Sequence, residues 1–211
     1  MEKKYLDFTL EEFSQALGSK KTMPGGGSVA GYALNLANGL ASMVANFTSG
    51  KKKYADYQAD IEDVLEKCQV FQKESMNLVD KDAEAFLPLA ASYKLPSETD
   101  EEKSYKHIQI QEGLKLAASV PMELLHLSQR VLKLHEDLLK KGSVMLLSDV
   151  GVGVVMLKAA VQSARLNVMI NIKEIEDKEY VACISKEMED LVVDIIKRAD
   201  HIYEEVFRRL K

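Results

Sequence analysis

The chain has 211 residues, of which 46% are hydrophobic and 29% are charged. This mixture is typical of a globular domain and excludes an intrinsically disordered chain. The net charge of −5 argues against a nucleic-acid-binding protein, which needs a basic face for phosphates. Two isolated cysteines and four histidines form no zinc motif. We therefore expect no metal and no disulfide framework, and a cytoplasmic location fits.

The segment from Thr22 to Gly50 carries no charged residue, as a membrane-spanning helix would require. It also contains asparagines, serines and several glycines, so its hydropathy is modest. We therefore expect a buried helix inside a bundle, and no association with a membrane. The charged N-terminus lacks an apolar h-region, so the sequence predicts no secretory signal.

The helix signals begin with Thr9-Leu10-Glu11-Glu12, a capping box that predicts a short helix to about Leu17. A glycine-rich loop follows, and Ser28 is predicted as the N-cap of a helix from Val29 to about Phe47. Pro121 is predicted to kink a later helix or to start a new one. The remaining helices are predicted over about Tyr54–Ala91, Asp100–Ser119, Pro121–Leu139, Leu147–Ile172 and Lys173–Leu210. No stretch alternates like a strand, so the sequence predicts one all-α domain, residues 1–211, a bundle of five to six long helices.

Asp82 stands where an apolar side chain is expected. Leu78 and Phe86 lie four residues to either side of it, so Asp82 falls on the stripe that faces the core or a pocket. Asp80 lies about 200° round the same helix, and we expect it to be solvated. A carboxylate in apolar surroundings needs a partner, or else its pKa rises. Asp82 is therefore either a structural residue that hydrogen-bonds a neighbouring helix or a functional acid/base.

Gly25, Gly26 and Gly27 allow a backbone to approach a ligand or another helix closely. The helix that starts there offers free N–H groups and a positive dipole end, which suit an anion. The alternative for this loop is tight helix packing with an ordinary cap.

Two further features have both a structural and a functional interpretation. Lys51-Lys52-Lys53 is either a solvated turn or, beside a pocket, an attractor of carboxylates. Asn167 and Asn171 lie four residues apart on an apolar helix, and buried amides need partners. They either contact a polar ligand or bridge helices. Gly151-x-Gly153 is not read as a dinucleotide fingerprint, because no strand precedes it.

Four segments, in their order and spacing, resemble the formimidoyltetrahydrofolate cyclodeaminase / methenyltetrahydrofolate cyclohydrolase family. They are Met23–Ala30, Val79–Phe86, Leu147–Val152 and Asn167–Asn171. The resemblance extends from about Thr9 to the last helix. It implies an all-α bundle that forms a homodimer, and it makes Asp82, the second aspartate of its segment, the catalytic residue.

The resemblance further implies closure of 5-formimidoyltetrahydrofolate to 5,10-methenyltetrahydrofolate with release of ammonia, with Asp82 as general acid/base. One alternative is a cyclohydrolase that opens the methenyl ring to 10-formyltetrahydrofolate. Another is a non-catalytic helical folate-binding protein. No cofactor beyond the folate substrate is expected. The candidate substrate-binding residues are Gly25, Gly26, Gly27, Ser28, Lys51, Lys52, Lys53, Ser148, Asp149, Asn167 and Asn171, with the lysines expected to meet the glutamate tail of the folate.

Overall fold

The computed structural model describes residues 4–211, so the first three residues of the predicted domain lie outside the described part. The described chain contains six α-helices and no β-strand. The helices are α1 (Leu10–Leu17), α2 (Gly26–Thr48), α3 (Gln58–Ser92), α4 (Asp100–Lys141), α5 (Leu147–Ile172) and α6 (Lys178–Leu210). Short 3-10 turns cover Tyr5–Asp7, Lys52–Tyr57 and Val144–Leu146. The prediction of a single all-α bundle is confirmed.

The pair formed by α2 and α5 is the centre of the bundle. α3 packs against α2, α6 packs against α5, and α4 contacts all four of these helices from one side. The core fills the space between them, because their buried faces are almost entirely aliphatic. Its largest fully buried side chains include Leu34, Leu125, Leu132, Leu157 and Ile195.

Several predicted helix boundaries are wrong, each for a local reason. α4 runs unbroken through Pro121 for 42 residues, because apolar packing on both sides outweighs the cost of one missing N–H donor. α3 begins at Gln58 rather than Tyr54, since Lys52–Tyr57 form a 3-10 turn with Tyr54 outside helical geometry. α6 begins at Lys178 rather than Lys173, because the Asp177 side chain caps it by accepting from the Tyr180 N–H.

Ser28 is not the N-cap of α2, which is a second correction to the predicted start of that helix. The helix begins at Gly26, and Gly25 occupies the cap position without a side chain to fill it. Ser28 is instead fully buried, and its hydroxyl lies 3.0 Å from the Val79 carbonyl oxygen on α3. The glycine-rich segment therefore forms the first helical turn itself and is not a loop before it.

His135 on α4 lies behind α2 and is fully buried. Its Nε2 is 3.1 Å from the Ala37 carbonyl oxygen of α2, which fixes Nε2–H as the donor. Position 153 of α5 must be glycine here, because a β-carbon would overlap the imidazole ring. Burial lowers the pKa of His135 to about 4, so the ring is neutral at physiological pH.

An apolar strip on the outer side of α2 and α5 remains exposed in the protomer. Its positions recur every three or four residues, so they share one side of each helix. This α2–α5 face consists of Val29, Leu36, Gly39, Leu40, Met43 and Phe47 from α2, and of Val152, Val155, Ala159, Leu166 and Ile170 from α5. Leu166 is 66% exposed and Ile170 is 63% exposed, and a contiguous exposed apolar patch is typical of an interaction surface.

The stretch Val144–Ile172, which contains α5, is long and apolar enough to cross a membrane by length and composition alone. A central helix of a bundle passes the same test, and α5 packs against α2, α4 and α6 along its other sides. The Thr22–Gly50 segment does not meet this criterion among the described residues.

Candidate functional site

Asp82 of α3 lies against the first turn of α2. The Ser28 hydroxyl is 3.2 Å from its Oδ2, and the Ser28 backbone N–H also points to this carboxylate. Asp82 thus receives the hydrogen bonds that an N-cap side chain of α2 would accept. Its side chain is half-buried, so one part of the carboxylate is held by α2 while solvent still reaches the residue.

The pKa of Asp82 is raised above its ordinary value of 3.8. Burial is the largest cause, because it disfavours the charged form, and the hydrogen bonds from Ser28 oppose it. A carboxyl group with a raised pKa gives up and takes up a proton more readily near neutral pH than an ordinary aspartate. This is the property that a general acid/base requires, and it arises from the position of Asp82 at the α2–α3 contact.

The glycines of the site have different surroundings. A β-carbon at position 27 would overlap the Asp82 carboxylate, so only glycine allows this aspartate to reach α2. A β-carbon at position 26 would lie 3.5 Å from the Asn167 Nδ2, an ordinary contact. Gly27 is therefore required by the geometry of the site, whereas Gly26 marks the place where α5 meets the same turn.

Asn167 and Asn171 lie on α5, and the first of them borders the glycine turn. Each side-chain amide donates along its own helix, Asn167 to the Ser163 carbonyl and Asn171 to the Asn167 carbonyl, both at 2.8 Å. These hydrogen bonds use one amide hydrogen of each side chain and do not bridge to another helix. The Asn167 side chain therefore presents a polar group next to Gly26.

Asp80 is not solvated, which corrects the sequence prediction. It is only 4% exposed, because the Tyr5–Asp7 turn covers this side of α3. Its Oδ1 accepts a 2.9 Å hydrogen bond from the Tyr5 backbone N–H, while its Oδ2 has no hydrogen-bond partner among residues 4–211. Asp80 and Asp82 do point to different sides of α3, as predicted. The side that holds Asp80 is not open to solvent, however, because the Tyr5–Asp7 turn covers it.

The remaining predicted site residues lie at the opposite end of the bundle. Lys51, Lys52 and Lys53 follow the C-terminus of α2, a helix of 23 residues and therefore about 35 Å long. The Lys51 ammonium lies 5.9 Å from the centre of the Phe47 ring. Ser148 and Asp149 lie in the first turn of α5, at this same end of the bundle. The hydrogen bond from the Val144 N–H to the Tyr54 hydroxyl shows this, because it joins the segment before α5 to the segment after the lysines. Within one protomer these five residues do not reach Asp82.

A cavity of about 610 Å³ lies on the Asp80 side of α3, and its lining includes the carboxylates of Asp80 and Glu84. Three lysines line it, together with Met23 of the segment that leads into the glycine turn. The sequence analysis missed these lysines, Lys4, Lys20 and Lys21, although two of them stand directly before the glycine-rich segment. Among the described residues, no group of three or more His, Cys, Asp or Glu side chains could hold a metal ion.

Comparison with known proteins identifies the family. The formiminotransferase-cyclodeaminase family model matches residues 9–190. A methenyltetrahydrofolate cyclohydrolase from Methylorubrum extorquens is 37% identical over 94% of this chain and 95% of its own length. The formimidoyltransferase-cyclodeaminase of Rattus norvegicus is 32% identical over 85% of this chain, which spans only 33% of that relative.

A solved structure gives the same result. The crystal structure of formiminotetrahydrofolate cyclodeaminase from Thermotoga maritima superimposes with a TM-score of 0.80 and 31% identity. The superposition covers 96% of this chain and 95% of that one. The match of the family model over most of the chain and the full-length relatives lead to one conclusion: the chain belongs to the formiminotransferase-cyclodeaminase family.

Proposed function

We propose that this protein is a formimidoyltetrahydrofolate cyclodeaminase, which closes 5-formimidoyltetrahydrofolate to 5,10-methenyltetrahydrofolate and releases ammonia. The observation that carries the proposal is the half-buried Asp82 carboxyl, with its raised pKa, held at the first turn of α2. Relatives that match this chain over most of its length are named as folate enzymes. No cofactor beyond the folate is required for this chemistry.

The reaction needs a proton to leave N10 and a proton to reach the departing amino group. With the formimino nitrogen protonated as an amidinium, N10 attacks the formimino carbon and Asp82 accepts the N10 proton. The protonated Asp82 then donates this proton to the amino group, which leaves as ammonia when the carbon–nitrogen bond breaks. The carbon that remains between N5 and N10 carries a delocalised positive charge. The ionised carboxylate beside it stabilises that charge, more strongly in a partly desolvated site than in water.

A second candidate is methenyltetrahydrofolate cyclohydrolase, which the 37% identity with the full-length relative of that name favours. Here water adds to the same cationic carbon, and Asp82 accepts a proton from that water. The bond between this carbon and N5 then breaks, as the added hydroxyl loses its proton and N5 takes one up, which leaves 10-formyltetrahydrofolate. Both reactions place the same carboxylate beside the same carbon, so one residue serves either of them.

Two substrates separate the candidates. A cyclodeaminase converts 5-formimidoyltetrahydrofolate with a rise in methenyl absorbance and one ammonia released per turnover. A cyclohydrolase lowers the methenyl absorbance when 5,10-methenyltetrahydrofolate is supplied, faster than the spontaneous hydrolysis in buffer. Purified protein that does neither, while pteroylglutamate binds to it, would make it a folate-binding protein without catalysis.

We also propose that the protein is a cytoplasmic homodimer that binds neither membranes nor nucleic acid. The α2–α5 face supports this assembly, because it is apolar and none of its positions is charged. Light scattering should give twice the 23.6 kDa of one chain at micromolar concentration. A 23.6 kDa species that floats with lipid vesicles would instead assign the face to a membrane.

A further inference from the structure

The cavity on the Asp80 side of α3 collects charged side chains of both signs that do not pair with one another. They are Lys4, Lys20, Lys21, Asp80 and Glu84. None of the three lysines forms an ion pair among residues 4–211. Elsewhere on α3 and α4, by contrast, Lys81 and Lys115 are each paired with a carboxylate. The charges of this cavity are therefore left for a ligand to balance.

Asp80 leaves a hydrogen-bond acceptor unfilled beside the cavity. The residue is only 4% exposed, its Oδ1 accepts from the Tyr5 N–H, and its Oδ2 has no hydrogen-bond partner within the described chain. A buried polar atom without a partner costs free energy, so a donor at this place is favourable. An amide N–H suits the position better than an ammonium group, because the lysines of the same cavity repel a cation.

The lining selects a ligand that carries both carboxylates and N–H donors. The lysines outnumber the carboxylates, so the cavity attracts an anion, but two acceptors remain in its wall. A phosphate brings negative charge without N–H donors, and it would leave these acceptors unsatisfied. A γ-linked glutamate chain offers one carboxylate and one amide N–H in each unit. The volume of about 610 Å³ lies within the range of ligand pockets and holds several such units.

The segment Met23–Gly27 connects this cavity to the candidate active site. Met23 lines the cavity, and Gly27 contacts the Asp82 carboxylate. Four residues of chain span at most roughly 14 Å, so the edge of the cavity is within this distance of the turn that holds Asp82. A folate that extends from N10 through its benzoyl ring covers such a distance with its second glutamate. Gly25 and Gly26 have no side chains to block this path.

We propose that the cavity is the subsite for the γ-linked glutamate tail of the folate, with Lys4, Lys20 and Lys21 as the partners of the tail carboxylates. The carboxylates of Asp80 and Glu84 accept from the amide N–H groups of the tail. The inference rests on the proposed function, because Asp82 fixes where N10 lies. It makes the preferred substrate a polyglutamylated folate, since only the second and later glutamates reach the lysines.

The dependence of KM on tail length tests the subsite. The variant replaces Lys4, Lys20 and Lys21 by alanine, and each folate substrate is supplied in its monoglutamyl and its pentaglutamyl form. With the pentaglutamyl form, KM should rise about tenfold, because each exposed charge pair contributes about two- to fivefold in affinity. KM for the monoglutamyl form should stay unchanged, and so should kcat for both forms, since Asp82 is not touched.

Two matched variants separate the subsite from a general effect of charge. Replacement of Lys178, Lys186 and Lys197 on α6 by alanine removes the same charge from another part of the surface and should leave KM unchanged. Glu84→Gln retains an acceptor but removes a negative charge, so it should lower KM for the pentaglutamyl form. An equal rise in KM for both tail lengths in the triple-lysine variant of the cavity, or no rise at all, would overturn the proposal.

Equilibrium binding separates this proposal from the proposed function. Pteroylmonoglutamate and pteroylpentaglutamate are titrated into wild type and into the cavity variant by calorimetry. Wild type should bind the pentaglutamyl compound about tenfold more tightly, and the cavity variant should bind the two about equally. That result in a protein that converts neither folate substrate would contradict the catalytic function and support the tail subsite. Active wild-type protein with equal affinity for both compounds would overturn the subsite alone.

Discussion

Gly27 and Asp82 fit together so closely that a single methyl group at position 27 would occupy the space of the carboxylate. This contact joins α2 to α3 at the candidate site and brings the carboxylate to the Ser28 N–H and hydroxyl. The contact is structural, since it caps a helix whose own cap residue is a glycine. It is also chemical, because the same burial raises the pKa of Asp82.

We expect Gly27→Ala to abolish activity, because the new β-carbon displaces the Asp82 carboxylate from α2. The free energy of unfolding should fall by about 1–3 kcal/mol, as is typical for overpacking in a well-packed region. Steady-state kinetics and urea denaturation measure the two effects. Gly26→Ala is the matched control: its β-carbon makes only an ordinary contact with Asn167, so kcat should stay near the wild-type value. Equal loss in both variants would show that helix geometry matters rather than the contact with Asp82.

Asp82→Asn should lower kcat by about 10²-fold or more, the usual contribution of a general acid/base. The amide keeps the shape of the side chain but cannot accept the substrate proton. Since the raised pKa means that ionised Asp82 costs folding stability at neutral pH, the neutral amide, whose oxygen can still accept from the Ser28 N–H, should not lower the free energy of unfolding. Single-turnover kinetics with saturating folate isolates the chemical step from binding.

Asp80→Asn is the control for this substitution. Its amide oxygen can still accept the hydrogen bond from the Tyr5 N–H, and its side chain faces away from Asp82. We therefore expect kcat to stay unchanged, with any effect confined to stability. An inactive Asp80 variant beside an active Asp82 variant would assign the chemistry to the other carboxylate.

The pH dependence of activity reports the pKa of Asp82. Since burial raises this pKa, the active carboxylate form is lost as the pH falls through a value above 3.8. The Ser28 hydroxyl stabilises the charged form, so Ser28→Ala should raise the pKa further. The acid limb of the kcat/KM profile should then move to higher pH in this variant. An unmoved limb would mean that another group controls it.

The sequence predicted most of the fold, because helical periodicity and capping boxes are local signals. The cap at Thr9 illustrates this, since it forms its hydrogen bonds within four residues of sequence. Pro121 and Ser28 were predicted wrongly for the opposite reason. Packing from distant helices keeps α4 continuous through the proline where a new helix was one of the two expectations, and α3 provides the cap of α2 in place of the serine hydroxyl.

The position of Asp82 on the inner side of α3 followed from its neighbours on the helix, but its surroundings did not. Nothing local indicates that Gly27 makes room for this carboxylate, or that the Tyr5–Asp7 turn covers Asp80. These contacts join residues more than 50 positions apart. The separation of Lys51–Lys53 from Asp82 by the length of α2 also required the antiparallel arrangement of the helices.

His135 should make the stability of the fold sensitive to acid. The unfolded chain binds a proton at this residue near the ordinary pKa of 6.5, whereas the folded protein resists protonation down to about 4. Stability is therefore complete above pH 6.5 and decreases as the pH falls towards 4, by about 3 kcal/mol in all. His135→Gln retains a donor for the Ala37 carbonyl but cannot titrate. Urea denaturation between pH 7 and 4.5 should show a shallower loss of stability for this variant, even if it is less stable at pH 7.

His126→Gln, on the surface beside Glu187, is the control and should keep the wild-type slope. Parallel curves for wild type and His135→Gln would show that the buried imidazole is not the group that responds to acid.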